Sequence, residues 1–306
     1  MSRFLVIGSG GFIGSRLVSS LLQEGHVVVG YNRSASDAYL NERYHNLFGD
    51  FSSETRFEQI LTEFKVDIVF HLISTTVPQE KTEHIEKEIV ENILPTVRLL
   101  EAMSKSCTKS IVFTSSGGTV YGELSDQAKI FSKTDPICSY GIQKLTIEKY
   151  LALYHRMHGI DYRIARIANP YGITKQNRVQ GIIPVLIRNI LSGRDITLFG
   201  DTIRDYIHIQ DVTNGLKRLC CYSGSQRVFN LGSGQGTSLS QLIEMIENIT
   251  NKRFSLIRKC PLRSCDVQKN VLDISLTKRE LNWKPEIPLE VGIERLVHQL
   301  EREQSF

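Results

Sequence analysis

The chain has 306 residues, 41% of them hydrophobic and 23% charged, a composition that excludes a disordered protein and allows one large core or two modest ones. A formal charge of +4 is too small to point to nucleic acid, and no run of about 18 or more apolar residues is present to span a bilayer. The six cysteines, Cys107, Cys138, Cys220, Cys221, Cys260 and Cys265, form no C-x-x-C pair and meet no histidine at zinc-finger spacing, so neither a metal site nor a disulfide framework is implied.

Met1-Ser2-Arg3 leads directly into an apolar run at Phe4–Ile7, without the basic flank, longer apolar stretch and small-residue cleavage site of a signal peptide. A soluble, cytoplasmic protein with no membrane partner is expected. Phe4–Ile7, Val27–Tyr31, Ile68–Leu72, Ile111–Thr114 and Tyr162–Ala165 read as strands bounded by Gly, Asp, Ser or Asn, and a further strand is expected before Gly49-Asp50-Phe51. Between them, Phe12–Gln23, Glu54–Phe64, Glu83–Ser104 and Ser139–His158 carry apolar residues at helical spacing. Such a βαβ series builds a parallel sheet with helices on both faces. Past residue 166 the pattern loosens into shorter elements, among them helices at Gly181–Leu191, Asp211–Cys221 and Leu239–Thr250, with no repeat or low-complexity linker.

The expected fold is therefore α/β: a doubly wound parallel-sheet Rossmann fold with a smaller, interleaved carboxy-terminal α/β substrate lobe. Residues 1–166, with returning segments near 205–232, form the expected core, and 167–204 with 233–306 the lobe. The cleft between them is the expected ligand site.

Directly after the first strand stands Gly8-Ser9-Gly10-Gly11-Phe12-Ile13-Gly14, at the point where a helix begins. Glycines there let the backbone turn tightly and approach a pyrophosphate, while the helix amino terminus offers free N–H groups and the positive end of its dipole. The end of the second strand, where a carboxylate would hold the adenosine ribose, reads Tyr31-Asn32-Arg33-Ser34. No negative charge repels a ribose phosphate there, and Arg33 either pairs with one or is a solvated loop residue. Asp50 is placed near the adenine or in a simple turn.

Tyr140 and Lys144 stand at i and i+4 on one helix face, after a strand ending in Thr114-Ser115-Ser116. An ammonium beside a phenol favours phenolate, which lets a tyrosine move protons near neutral pH.

With these residues the sequence resembles the extended short-chain dehydrogenase/reductase family of nucleotide-sugar 4-epimerases, 4,6-dehydratases, decarboxylases and 4-keto reductases. The match continues through His71-Leu72, Asn92, Val120-Tyr121-Gly122, Arg166, Asn169-Pro170-Tyr171-Gly172, Arg204-Asp205-Tyr206, Asn230-Leu231-Gly232 and Trp283-Lys284-Pro285. The resemblance implies that Tyr140 exchanges a proton at the sugar C4 oxygen, that Lys144 holds the nicotinamide ribose and tunes Tyr140, and that a Ser or Thr polarises C4–O. It implies a cofactor site drawn from Gly8, Gly10, Gly11, Phe12, Ile13, Gly14, Asn32, Arg33, Ser34, Asp50, Phe51, Leu72, Ser74, Asn92, Thr114, Tyr140 and Lys144. It implies a substrate site including Ser115, Ser116, Asn169, Arg204 and Arg263, whose guanidinium groups and amide suit a nucleotide diphosphate. It also implies a homodimer through Glu83–Ser104 and Ser139–His158.

Three departures bear on the reaction. The turn Ser115-Ser116-Gly117-Gly118-Thr119-Val120-Tyr121 is one residue longer than the family's, so the assisting hydroxyl is preferred at Ser116, with Ser115 and Thr119 as alternatives. Gly117-Gly118 stands where the dehydratases carry an Asp-Glu pair, which argues against loss of water. The loop Gly200-Asp201-Thr202-Ile203 is shorter than usual by about two residues, which alters the reach of Arg204. Ile196-Thr197-Leu198-Phe199 is either a wall for the nucleotide base or lobe core. Asn32 and Arg33 favour NADP(H), with NAD(H) as the alternative, so the expected reaction is NADPH-dependent reduction of a 4-keto nucleotide sugar. The competing readings are a 4-epimerase recycling bound NAD and a non-catalytic dinucleotide sensor.

Overall fold

The computed structural model describes residues 1–33, 41–76, 85–173 and 180–304. Strands β1 (Arg3–Ile7), β2 (Val27–Asn32) and β3 (Tyr44–Phe48) enclose helix α1 (Phe12–Gln23), and α2 (Phe57–Glu63), β4 (Ile68–His71), α3 (Ile85–Glu88), α4 (Leu94–Lys105), β5 (Ser110–Ser116), α5 (Ser139–His158) and β6 (Asp161–Ile167) follow. After β7 (Asn169–Tyr171) come α6 (Ile182–Leu191), β8 (Ile196–Phe199), β9 (Ile203–His208), α7 (Ile209–Cys220) and β10 (Val228–Leu231). The chain ends with β11 (Gly236–Ser238), α8 (Leu239–Thr250), β12 (Ile257–Cys260), β13 (Lys269–Asn270), α9 (Ser275–Leu281) and α10 (Leu289–Gln304).

The main sheet has seven strands in the order β10-β6-β5-β4-β1-β2-β3, all parallel. Its order reverses between β1 and β4, which opens a crevice at the carboxyl ends of the strands, where doubly wound sheets bind ligands. β1, β2 and β5 are buried on both faces, which is why they read as continuous apolar runs rather than alternating ones. Leu17, Val18 and Leu21 of α1 pack with Leu216, Phe229 and Trp283 on one face of the sheet. Phe57 and Ile60 of α2, Leu99 and Met103 of α4, and Ile147 and Leu151 of α5 cover the other. Each such side chain contributes about 1.5–3 kcal/mol on burial.

A separate cluster of Ile183, Ile187, Leu242, Ile246, Ile293 and Val297 forms the core of the lobe. In the lobe β11, β9, β13 and β7 make one small sheet and β12 with β8 another. Residues Leu272 to Trp283 return to the first cluster rather than the lobe, so the tail laces the two parts together.

Several boundaries move from the sequence reading for identifiable reasons. α2 starts at Phe57 because the Glu54 carboxylate accepts hydrogen bonds from the Thr55 and Arg56 amides and from the Tyr31 hydroxyl, which fixes a turn before the helix. α7 starts at Ile209, capped by the His208 imidazole, while Asp211 accepts from the amides of Glu286 and Ile287. The helix expected over Glu83–Ser104 is described from Ile85 and widens through a π-turn at Ile89–Ile93 before α4. Pro95 has no N–H to donate to the Glu91 carbonyl, and the register shifts there.

Candidate active site

The crevice beside β1, β4 and β5 is a cavity of about 380 Å³. Gly8, Gly10, Gly11, Phe12, Ile13 and Gly14 line one end, Asn32 and Arg33 its mouth, Leu72 and Ser74 one wall, and Thr114, Ser115, Ser116, Tyr140 and Lys144 the other end. Gly8 adopts φ +90°, which an L side chain rarely tolerates, and a Cβ on Gly14 would stand 2.0 Å from the Gly8 carbonyl oxygen. The α1 amino terminus has no side-chain cap. A glycine-bounded opening onto free helix N–H groups fits the pyrophosphate of a dinucleotide.

Asn32 is pinned to this loop: its Oδ1 accepts the Gly10 N–H and its Nδ2 donates to the Ser9 hydroxyl. Both ends of the amide are therefore committed to holding the glycine turn. Arg33 is exposed at the cavity mouth. Ser34 lies outside the described residues.

Three expected cofactor residues do not line the cavity. Asp50 accepts from the Ser52 amide at 2.9 Å and its hydroxyl at 2.8 Å in a local turn, bonds that hold its carboxyl below the usual range. The Phe51 side chain is buried against Phe57 and His71 in the core. Asn92 is buried behind the wall, where its Nδ2 donates to the Thr75 hydroxyl at 2.7 Å and its Oδ1 accepts from the Thr75 amide at 3.0 Å. It thereby holds the stretch from which Ser74 and Thr76 face the cavity.

At the catalytic end, burial pushes the Tyr140 phenol up to about 12, with a hydrogen bond to Ser74 pulling the other way. Burial pulls the Lys144 ammonium down to about 7, opposed by the Glu148 carboxylate. Desolvation therefore governs Tyr140, in place of the lowering by the lysine expected from the sequence. Lys144 Nζ donates to the Thr114 carbonyl at 3.0 Å and lies 5.7 Å from the centre of the Tyr140 ring.

The three candidate hydroxyls separate by position. Ser115 lines the cavity but donates to Glu148 at 2.5 Å, and Thr119 does not line it, its hydroxyl being buried without a partner among the described residues. Ser116 ends β5 in the wall beside Tyr140. The additional glycine is accommodated in a turn where the Thr119 and Val120 amides both donate to the Ser116 carbonyl. A Cβ on Gly117 would meet Leu272 at 2.6 Å.

A second cavity of about 500 Å³ is lined by Asn169, Thr197, Leu198, Phe199, Arg204, Arg263 and Asp266, and Pro170 lines both cavities. The β8 stretch therefore serves twice, with Ile196 and Leu198 buried in the lobe core and Thr197 to Phe199 facing the opening. Arg263 lies over the Phe199 ring, 5.6 Å from its centre, and bonds Asp266 at 2.6 Å, while Arg204 approaches Asp266 at 3.9 Å. The Asn169 amide donates to the Asp205 carbonyl at 3.0 Å. Asp266 and Glu148 were not singled out from the sequence; their signals are the i+3 spacing from Arg263 and the i+4 spacing from Lys144.

A family model described as the NAD dependent epimerase/dehydratase family matches residues 4–232. The chain is 32% identical to a dTDP-4-dehydro-6-deoxyglucose reductase of Escherichia coli, covering 96% of each. It is 31% identical to a putative UDP-glucose 4-epimerase of Methanocaldococcus jannaschii, covering 96% of this chain and 97% of that one. Among solved structures, the UDP-glucose 4-epimerase of Thermotoga maritima with UDP-glucose superposes with a TM-score of 0.90 at 29% identity over 99% of both chains. No described helix is long and apolar enough to cross a membrane. The chain belongs to the NAD-dependent epimerase/dehydratase family, the nucleotide-sugar enzymes of the extended short-chain dehydrogenase/reductase type.

Proposed function

We propose that the protein reduces a 4-keto nucleotide-diphosphate sugar with NADPH, Tyr140 giving the proton to the C4 oxygen. The observation that carries this reading is that two neighbouring cavities share Pro170 in their walls. One holds the glycine loop with Tyr140, Lys144 and Ser116, and the other holds Asn169, Arg204 and Arg263.

The glycine loop would hold a nicotinamide dinucleotide, which would supply the hydride. Tyr140, kept protonated by burial, is in the form that a reductase needs to deliver a proton to a carbonyl oxygen. Ser116 would donate a hydrogen bond to the same oxygen, and Lys144 would hold the nicotinamide ribose. Arg204 and Arg263 bind the diphosphate, exchanging part of their pairing with Asp266 for phosphate oxygens. Arg33 at the mouth would pair with a ribose 2′-phosphate, since Asn32 is neutral and already engaged with the glycine loop.

The 4-epimerase reading, with retained NAD, is favoured by the similarity to the Thermotoga maritima structure. The test is to identify the dinucleotide released on denaturing the purified protein, then to assay 4-keto sugar reduction with NADPH and the interconversion of UDP-glucose and UDP-galactose without added reductant. Interconversion with retained NAD would replace the reductase reading by the epimerase one. We further propose a cytoplasmic homodimer: Ile89 and Val90 in the π-turn, Leu94 at the start of α4, and Ile142, Leu153 and Met157 on α5, are apolar and exposed.

A further inference from the structure

The helix that carries Tyr140 and Lys144 carries a third buried polar residue at the same spacing, Glu148, and its surroundings differ from those of an ordinary structural ion pair. Its Oε1 accepts from Arg166 Nε at 3.0 Å and its Oε2 from Arg166 Nη2 at 2.6 Å, with both side chains buried. Oε1 also accepts the Ser115 hydroxyl at 2.5 Å. Ser115 lies between Thr114, whose carbonyl receives Lys144, and Ser116, which faces the cavity. Arg166 in turn lies over the Tyr121 ring at 4.8 Å, and the Tyr121 hydroxyl donates to Asn230 at 2.7 Å. Asn230 Nδ2 donates to the Ala128 and Asp273 carbonyls, so the ion pair is braced by β6, β10 and the returning tail.

We infer that Glu148 is a positioning residue for the active site: by fixing Ser115 it sets the Thr114 carbonyl that receives Lys144 on one side and the Ser116 hydroxyl on the other. The inference deepens the reading of Tyr140 and Lys144 given above and rests on it. The charges around Lys144 support the assignment. Tyr140 and Glu148 face it from α5, the Phe113 ring and Thr114 carbonyl from β5, His71 from β4, and Arg166 from β6 beyond Glu148. Glu88 acts on Tyr140 electrostatically and accepts the Ser139 hydroxyl. Burial holds His71 neutral, down at about 3, and Tyr140 neutral, up at about 12. Glu148 is therefore the acid that supports the ammonium of Lys144, and Arg166 restrains that support by occupying both carboxylate oxygens. A carboxylate held in this fork cannot swing over to bond Lys144 directly, which leaves the ammonium free for a ligand.

The test reads Lys144 without cofactor or substrate, so it can fail while the catalytic reading stands. In protein carrying ¹³C-labelled lysine, with Lys144→Met identifying the signal, Glu148→Gln is expected to lower the titration midpoint of Lys144 by about one pH unit or more. Glu148→Asp, which keeps the charge, should return the midpoint toward wild type. Arg166→Gln, which removes the competing cation, should raise it. If Glu148→Gln does not fold, the Arg166→Gln shift alone decides. A Lys144 midpoint unmoved in the folded variants, with only the melting temperature lowered, overturns the inference and leaves Glu148 a purely structural ion pair. Failure of the underlying reading would show elsewhere, as retained turnover in Tyr140→Phe.

Discussion

Lys144 donates its hydrogen bond to the carbonyl of Thr114, 3.0 Å away, and meets Tyr140 only through the ring, 5.7 Å from its centre. The lysine is thus held at the strand end, and burial favours the protonated phenol. This arrangement is compatible with the proposed roles of Tyr140 in proton transfer and of Lys144 in holding the cofactor ribose.

Tyr140→Phe removes one oxygen and little packing, so it should leave dinucleotide binding nearly intact while turnover falls by roughly 10²-fold or more. Titration of NADPH fluorescence against the variant, beside steady-state rates, separates the two effects. A variant retaining more than about a tenth of the wild-type rate would remove Tyr140 from proton transfer.

Lys144 makes stability depend on pH in a defined direction. Its folded-state value, down at about 7, lies below the ordinary lysine value of 10.5, so the unfolded chain binds more protons between these two pH values. The contribution of Lys144 to stability is complete above the unfolded value, declines as pH falls through this window, and is flat below about 7. Urea unfolding of wild type and Lys144→Met from pH 6.5 to 9.5 should therefore show the stability advantage of the variant shrinking as pH rises. A difference constant across that range would mean that Lys144 keeps an ordinary affinity for its proton.

The glycine loop and the Tyr140–Lys144 pair were legible because each is a local pattern: a spacing of three residues around a turn, and one helical turn after a strand. What stayed hidden depends on partners far apart in the chain. Glu148 acquires its role from Arg166 and Ser115, and Asn92 from Thr75, contacts that no periodicity announces. Asn32 stands at the strand end where the usual carboxylate would be; only the fold shows its amide bonded to Gly10 and Ser9. Phe51 was placed beside the cofactor by its neighbours in sequence, whereas the turn after β3 sends its ring into the core. The long turn at Gly117 left three hydroxyls in play, and they separate only once Ser115 is seen to bond Glu148 and Thr119 to lie outside the cavity.

Arg204→Ala and Arg263→Ala should both raise KM for the nucleotide sugar, each by up to about 1.5–3 kcal/mol where a charge-assisted bond is lost. The Arg204 side chain is 15% exposed and that of Arg263 41%, so the larger effect is expected at Arg204 and a screened one at Arg263. An unchanged KM in both variants would dismantle the diphosphate site.

The exposed apolar side chains of α5 and of the segment before α4 should bury each other across a twofold axis in a four-helix contact. Light scattering at micromolar concentration is expected to give twice the chain mass, and Leu153→Glu to reduce it. A monomer in the wild type disposes of the dimer.

Cofactor choice turns on Arg33. The position that would carry a ribose-binding carboxylate is Asn32, and its amide is spent on the glycine loop, so no charge in that side chain repels a 2′-phosphate. Arg33 stands exposed beside it at the mouth of the cavity, with a guanidinium suited to paired bonds to phosphate oxygens. Asp50 lies within electrostatic reach of Arg33, but its carboxylate is engaged by the Ser52 amide and hydroxyl. Arg33→Ala should accordingly raise KM for NADPH several-fold, and a charge-assisted bond at a solvent-exposed site sets the upper end near tenfold. KM for NADH should stay within about twofold, because the adenosine ribose hydroxyls make no charged contact with this side chain. Equal effects on both dinucleotides would show that Arg33 holds the shared adenosine or pyrophosphate instead. No effect on either would leave it a solvated loop residue and remove the ground for preferring NADPH, while the readings of Tyr140 and Lys144 would stand.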